Sequence, residues 1–243
     1  MNKSNVEQIR DRFDGEVERF SNIETGQSAT IDAPLTLDLI AETASRVTPE
    51  ATSLLDVGCG AGNYSLKILE KLPGLEVTLV DLSRPMLDRA LDRVSRMTSG
   101  RVTAIQGDIR DLQIGFSQHD IICAAAVLHH LRGNDEWKLA FSKFYNSLKI
   151  GGSLWISDLI EHSDKRVQSL MWNRYGEYLS QLRDEAYRDH VFGYIDREDS
   201  PRPLMFQIDL LRSVGFDQIE ILHKNTCFAA FGAIKGADGP RCL

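Results

Sequence analysis

The sequence lacks the features by which several classes of protein are recognised. Its 243 residues include four cysteines, which are far apart and form no CxxC pair, so neither a zinc site nor a disulfide framework is expected. No run approaches the roughly 18 apolar residues of a membrane span, and the N-terminal stretch has no signal-peptide core. We therefore expect no membrane partner and a cytoplasmic location.

An excess of basic residues is also missing. The formal net charge is -7, whereas proteins that bind bulk nucleic acid usually carry a basic face. The overall charge therefore predicts no nucleic-acid partner. A local basic patch, and with it a tRNA partner, stays open.

Short apolar runs alternate with helical patterns along most of the chain. The predicted strands cover residues 53–57, 75–80, 101–106, 119–124 and 153–157, and two more at 217–222 and 226–234 suggest an antiparallel hairpin. Strands that alternate with helices predict an α/β fold with a doubly wound, mostly parallel sheet.

The chain reads as a single domain with four parts. Residues 1–50 hold N-terminal helices, with an amphipathic helix over 5–20 whose expected role is packing, and residues 51–158 form the ligand-binding core. Residues 159–202 contain no strand pattern and are predicted to be a helical cap, followed by a closing helix and hairpin over 203–235. The sequence does not predict the oligomeric state.

The core is organised around a glycine-rich turn. Residues 54–65 read LLDVGCGAGNYS, with glycines at Gly58, Gly60 and Gly62 between a predicted strand and a helix. A dinucleotide site favours GxGxxG, and Asn63 stands where the third glycine of that motif would be. A smaller nucleoside that carries an amino acid suits this turn better. Backbone N–H groups would meet its carboxylate, and Asp56 would orient its ammonium group.

Acidic residues also end the next two strands. Asp81 is placed to accept two hydrogen bonds from a ribose diol. Asp108 is placed to accept from an exocyclic adenine amine, beside the backbone N–H and apolar side chain of Ile109. Each carboxylate alone could be a helix cap or a surface group, but acids at three successive strand ends favour a nucleoside site.

Four segments together resemble a known family. LLDVGCGAGNYS, VTLVDLSRPMLDRA, IQGDIRDL and IICAAAVLHHL look like successive motifs of the class I S-adenosylmethionine-dependent methyltransferases, and the terminal LLRSVGFDQIEIL and CFAAFGAIK resemble that family's closing elements. The resemblance implies a Rossmann-like, seven-stranded sheet with a reversed last hairpin. It also implies a methyltransferase with S-adenosyl-L-methionine as cofactor and S-adenosyl-L-homocysteine as product.

The same resemblance assigns cofactor contacts by position. It places Asp56, Gly58, Cys59, Gly60 and the neighbouring Asn63 at the methionine part, Asp81 and Leu82 at the ribose, Met86 at the adenine edge, Asp108 and Ile109 at the adenine, and Ala124 and Ala125 near the sulfonium.

Methyl transfer needs a general base only if the acceptor must lose a proton. His129 and His130 follow the fourth strand, so either is a candidate base at neutral pH. The alternative is that one histidine caps the following turn and the other packs beneath the cofactor.

Substrate contacts are expected from the end of the fifth strand and from the cap. Asp158 could hold a polar group or cap a helix. Trp172, Tyr175 and Tyr178 recur at three-residue spacing and share a helix face, which would line an apolar substrate pocket or form the core of the cap. Asp158, Glu161 and His162 make no recognisable metal constellation, and no metal is expected.

Three functions stay open. The first is methyl transfer to a small-molecule substrate. The second, suggested by resemblance of GDIRDL and LLRSVGF to enzymes that make or use carboxy-S-adenosylmethionine, is a carboxylated-cofactor or tRNA-modifying enzyme. That group has an arginine where this chain has Leu210, with Arg212 nearby, which is a departure from the pattern. The third is a non-catalytic, cofactor-binding regulatory protein.

Overall fold

Seven strands form one sheet in the computed structural model, which describes residues 3–23 and 26–237. The strands are β1 (Ser53–Val57), β2 (Glu76–Asp81), β3 (Val102–Gln106), β4 (His119–Ala125), β5 (Leu148–Leu159), β6 (Gln218–Asn225) and β7 (Phe228–Ile234). Their spatial order is β3-β2-β1-β4-β5-β7-β6. β7 runs antiparallel to both of its neighbours, β5 and β6, and the other paired strands are parallel. The predicted Rossmann-like sheet with a reversed hairpin is therefore confirmed.

Helices cover both faces of this sheet. They are α1 (Val6–Asp14), α2 (Val17–Ser21), α3 (Ala33–Val47), α4 (Asn63–Leu69), α5 (Arg84–Ser95), α6 (Asn134–Ser147), α7 (Lys165–Leu182), α8 (Glu185–Glu198) and α9 (Leu204–Val214), with a 3-10 turn at Leu128–His130. The single helix expected over residues 5–20 is wrong, because Gly15 ends α1 and a second short helix follows. Glycine is a poor helix former, and the turn it makes changes the chain direction.

Two apolar layers hold the sheet between its helices. On one face α6 contributes the fully buried Trp137, Phe141 and Phe144. On the other face α5 packs against β2 and β3, α4 packs against β1, and α3 packs against β5 and β6. Truncating a buried aromatic side chain of this size lowers the free energy of unfolding by about 3–5 kcal/mol. The two layers therefore hold the sheet, and with it the strand ends, firmly in place.

The segment 159–202 forms two helices, α7 and α8, which pack against each other. Their shared cluster includes Tyr175, which is buried, and Trp172, whose ring stacks on Phe192 at 4.8 Å between centroids. The cluster also contacts Phe228 of β7, so the cap is joined to the sheet.

Strand order reverses between β1 and β4. The two strands that follow β1 in the chain lie on one side of it, and the three strands that follow β4 lie on the other side. In open parallel sheets such a reversal leaves a crevice at the carboxyl ends of the strands, where ligands bind. Cys59, Cys123 and Cys227 are free and buried, and Cys242 lies outside the described residues. Within the described ranges no helix is long and apolar enough to cross a membrane.

Candidate functional site

The turn after β1 needs its glycines for geometric reasons. Gly58, Gly60 and Gly62 all have positive φ angles, of 67°, 50° and 84°. A Cβ at Gly58 would lie 2.5 Å from a methyl carbon of Val127, so the loops after β1 and β4 approach at this point. A Cβ at Gly60 would meet nothing within 4 Å, which leaves open space beside its backbone.

That open space is part of a cavity at the carboxyl ends of β1 to β4. It is lined by every residue predicted to contact the cofactor except one, namely by Asp56, Gly58, Cys59, Gly60, Asn63, Asp81, Leu82, Met86, Asp108, Ile109 and Ala125. Ala124 is the exception, because its side chain is fully buried in the core. Adjacent residues of a strand face opposite sides, so Ala124 and Ala125 cannot both face the cavity.

Asp81 is held by backbone groups of two loops. One carboxylate oxygen accepts from the N–H of Gly60 at 2.7 Å, and the other accepts from the N–H of Ser83 at 2.8 Å. Burial raises the pKa of Asp81, and these hydrogen bonds oppose the rise. Each oxygen keeps a lone pair, so the carboxylate can still accept from a diol.

Asp56 lies deeper, at the end of β1. Its side chain accepts a hydrogen bond from the hydroxyl of Ser65 at 2.6 Å. Burial raises the pKa of Asp56 to about 6 despite that bond. The carboxyl is therefore mostly ionised at neutral pH, as an ammonium partner requires.

Arg110 is a member of the site that the sequence analysis missed. Its backbone N–H and its Nε donate to one oxygen of Asp108 at 2.8 and 2.9 Å, and a further guanidinium N–H donates to the other oxygen. Burial alone would raise the pKa of Asp108, but the bonds from Arg110 outweigh burial and lower it. An adenine amine would therefore share this carboxylate with Arg110, which also contacts Glu136.

The side chain of Asn63 is engaged within the protein. Its amide nitrogen donates to the carbonyl of Phe20 at 2.9 Å, and its oxygen accepts from Arg93 at 2.9 Å. Asn63 thus ties the glycine turn to α2 and α5, and only its backbone is free for a ligand.

The first two helices cover the cavity rather than only packing on the core. Val6, Ile9 and Phe13 of α1 and Phe20 of α2 all line it. The two phenylalanines contact each other, with ring centroids 5.7 Å apart. Their seven-residue spacing on an amphipathic pattern was visible in the sequence, but nothing there linked it to the glycine turn.

A second cavity adjoins the first. The two share Phe13, Phe20, Gln27, Tyr64 and Ala126 as lining residues. The second extends past the end of β5 to the cap and is also lined by His129, Asp158, Tyr175, Tyr194 and Asp199. A ligand there would lie directly against a ligand in the first cavity.

His129 is held by a buried carboxylate. Its Nδ1 hydrogen bonds to Asp158, whose other oxygen accepts from the N–H of Leu128 at 2.8 Å. Burial alone would lower the pKa of His129, but the charges of Asp158 and Asp199 outweigh it and raise the pKa to about 9. His129 is therefore protonated at neutral pH, which opposes the expected role of this residue as a base there.

His130 lies beside His129, and its pKa is shifted in the opposite direction. Burial, together with the positive charge of His129, lowers the pKa of His130. Its Nδ1 is 3.1 Å from a carboxylate oxygen of Asp199, which follows α8. Asp199 was not anticipated, because it is almost 70 positions further along the chain.

The structure divides the four predicted substrate residues. Asp158 and Tyr175 line the second cavity, whereas Trp172 and Tyr178 do not. The hydroxyl groups of Tyr175 and Tyr178 donate to the carbonyls of Ala29 and Ser28 at 2.9 and 2.7 Å. The aromatic stripe of α7 therefore acts largely as the core of the cap.

Comparison with known proteins adds to this geometry. A family model described as a methyltransferase domain matches residues 55–154. The chain is 25% identical over 208 residues to a carboxy-S-adenosyl-L-methionine synthase from Campylobacter lari, covering 82% of this chain and 84% of that one. It is 30% identical over 141 residues to a malonyl-[acyl-carrier protein] O-methyltransferase from Priestia megaterium, covering 57% and 49%.

A solved structure with the same fold is human N-acetylserotonin methyltransferase in complex with S-adenosylmethionine. The TM-score is 0.63 at 19% identity, with 96% of this chain and 60% of that chain covered.

Proposed function

Because the chain belongs to the class I S-adenosylmethionine-dependent methyltransferase family, we propose that it transfers a methyl group from that cofactor to a small-molecule acceptor. The observation that carries the proposal is the contact between two cavities. They share Tyr64, Ala126 and three further residues, so a cofactor in one and an acceptor in the other would meet.

In the first cavity, each of the three strand-end acids would contact a different part of the cofactor. Asp56 and the turn after β1 would hold the amino-acid part, and Asp81 would accept from the ribose. Asp108, already paired with Arg110, would meet the adenine amine beside Ile109. These roles use the backbone N–H groups and carboxylate lone pairs that the cavity presents.

The cofactor supplies the activated methyl group, and the chain has to align the acceptor and exclude water. Phe13 and Phe20 cover both cavities, which favours a dry reaction volume. His129 is the residue we propose to act on the acceptor's reacting atom. It lines the second cavity, and Asp158 fixes its ring orientation.

The experiment is a product assay with S-adenosylmethionine and a panel of small hydroxyl, amine and thiol compounds. Formation of S-adenosylhomocysteine together with a product heavier by one methyl group is the expected result. The matched control is Asp81→Ala, which should lose product formation at limiting cofactor. Cofactor binding without product from any compound of the panel would favour a regulatory protein over an enzyme.

A second candidate is synthesis or use of a carboxylated cofactor. It is favoured by relatives of that name which cover more than three quarters of both chains, as in Campylobacter lari. Arg212 gives it no support, because this side chain is exposed on α9 and pairs with Asp209 at 3.0 Å. Neither Arg212 nor Leu210 lines either cavity.

Mass spectrometry of the nucleoside that co-purifies with the protein separates the two candidates. S-adenosylmethionine or S-adenosylhomocysteine supports methyl transfer. The carboxylated form supports the second candidate.

A further inference from the structure

Three side chains that could each bind a metal ion lie together at the junction of the two cavities. His129 and His130 lie on the 3-10 turn after β4, and Asp199 ends α8. One nitrogen or oxygen from each lies within 4.8 Å of the others. His130 lines the first cavity, His129 lines the second, and Asp199 lines the second from the cap side.

The spacing of these atoms fits one small ion. Oδ1 of Asp199 is 3.1 Å from Nδ1 of His130 and 3.7 Å from Nε2 of His129. Ligands bound at about 2.0–2.1 Å in a tetrahedron lie about 3.3 Å from one another. These two separations lie on either side of that value, and the third, between the two histidine nitrogens, is at most 4.8 Å, so small side-chain rotations would bring the three atoms onto one ion.

Asp158 prepares His129 for such a role. It hydrogen bonds to Nδ1, which leaves Nε2 to face Asp199. A carboxylate on the far nitrogen of a histidine is the usual support of a metal-binding imidazole. Asp158 is itself fixed by the backbone N–H of Leu128 at 2.8 Å, so the ring orientation is well determined.

A second observation points to a missing partner. Oδ1 of Asp199 is buried in a residue that is 4% exposed, and its nearest partner in the described part of the chain, Nδ1 of His130 at 3.1 Å, does not meet it with hydrogen-bond geometry. A buried carboxylate oxygen without a hydrogen bond is costly, and a cation would remove that cost.

The local charge suits a divalent ion. With neutral imidazoles, Asp158 and Asp199 bring two negative charges to the cluster. The nearby guanidinium of Arg12 is balanced by Glu198 at 2.7 Å and Glu16 at 3.5 Å. Binding at Nε2 of His129 would release the proton held there, as metal binding to histidine does in general.

We propose that His129, His130 and Asp199 bind a divalent transition-metal ion of the zinc type, with Asp158 as the support of His129. Two imidazoles and one carboxylate are a donor set that such ions accept, and a fourth position would face the second cavity. This inference rests on the proposed function only for the role of that fourth position.

With a hydroxyl acceptor, an ion held by these three residues would polarise the acceptor oxygen and favour loss of its proton to water. A lone pair of that oxygen then forms the bond to the methyl carbon. The carbon–sulfur bond breaks, and its electrons stay on the sulfur, which leaves S-adenosylhomocysteine.

The test is titration of chelator-treated, metal-free protein with Zn²⁺ and with Co²⁺, followed by calorimetry and by the visible spectrum of Co²⁺. We expect one equivalent to bind with a dissociation constant in the micromolar range or below. Asp199→Asn should weaken binding at least hundredfold, and Asp158→Asn should weaken it by about 10–100-fold. His223→Gln is the matched control, since His223 forms a surface pair with Asp32 at 2.8 Å and should change nothing.

Titration of each variant with S-adenosylhomocysteine reports whether the fold is intact. Wild-type protein that binds no more Zn²⁺ than Asp199→Asn, while both bind S-adenosylhomocysteine, would overturn the metal site and leave the proposed function untouched. In the opposite case, the wild type binds one equivalent of metal, Asp199→Asn does not, and no acceptor gives a methylated product. That result would support the metal site and contradict the proposed function.

Discussion

The two cavities hold their polar groups by different means. In the first, groups close to the strand ends fix each acid, as where the N–H groups of Gly60 and Ser83 hold Asp81 and Arg110 holds Asp108. In the second, side chains from distant parts of the chain fix one another, as where Asp158 holds His129. The polar wall of the first follows the ends of successive strands beneath a cover from α1 and α2, whereas the second also takes its polar groups from β5 and the cap. This difference predicts that the two halves of the site can be damaged separately.

The largest expected effect comes from His129→Ala. Methyl transfer should fall by about hundredfold or more if His129 has its proposed role at the acceptor, whether directly or through an ion. Affinity for S-adenosylhomocysteine should stay within about twofold of wild type, since His129 does not line the first cavity. Steady-state kinetics measures the rate of methyl transfer, and calorimetry measures the affinity for S-adenosylhomocysteine. A matching loss of cofactor affinity would break the separation between the cavities.

A pair of glycine substitutions tests the backbone-built half. Gly58→Ala should lower the free energy of unfolding by about 2–4 kcal/mol, since it combines a strained φ with a clash against Val127. Gly60→Ala should cost only about 1 kcal/mol, because its new methyl group meets nothing within 4 Å. Urea denaturation compares them. Equal costs would show that the approach of Val127 does not fix the turn.

Asp81→Ala should weaken cofactor binding by about tenfold or more, because a charged, two-oxygen acceptor is lost. The control is Asp88→Ala, on the exposed side of α5, where Asp88 pairs with Arg84 at 2.8 Å. Calorimetric titration with S-adenosylhomocysteine measures both variants. If affinity were the same in Asp81→Ala and wild type, Asp81 would have no part in holding the ribose.

The smallest effect is expected at the opposite end of the sheet. Burial would raise the pKa of Asp120, but hydrogen bonds from Lys149, Thr52 and Ser53 outweigh it and lower the pKa to about 2. A carboxyl with a lowered pKa stabilises the fold above its unfolded pKa near 3.8, and this contribution is lost as the pH falls through about 2.

Asp120→Asn should therefore lower stability at pH 7 by about 1–2 kcal/mol, after allowance for solvent screening. Its deficit against wild type should shrink between pH 4 and pH 2. Denaturation across this range checks the trend, and binding in both cavities should be unaffected. A deficit that stays constant with pH would mean that the charge of Asp120 contributes nothing.

Much of the first cavity could be predicted because its geometry is local. A glycine turn, and one acid at each following strand end, are consequences of short sequence segments in a parallel sheet. Arg110 escaped prediction even here, although it is two residues from Asp108. An arginine on a loop is usually solvated, and only the folded loop shows that it returns to the carboxylate.

The second cavity could not be predicted in the same way. Phe13, Tyr64, His129 and Asp199 are brought together by the packing of the N-terminal helices and the cap, which no local motif records. The spacing of the α7 aromatics correctly placed them on one side of a helix. It could not say whether that side met a ligand or, as for Tyr175, mainly the core of the cap.

The central claim is that the first cavity binds the adenosyl cofactor, and calorimetric titration of the full chain with S-adenosylhomocysteine tests it most directly. The account predicts one binding site per chain, with affinity weakened by about tenfold or more in Asp81→Ala and retained in His129→Ala. Absence of binding to wild-type protein would contradict it, as would equal affinity in the wild type and Asp81→Ala.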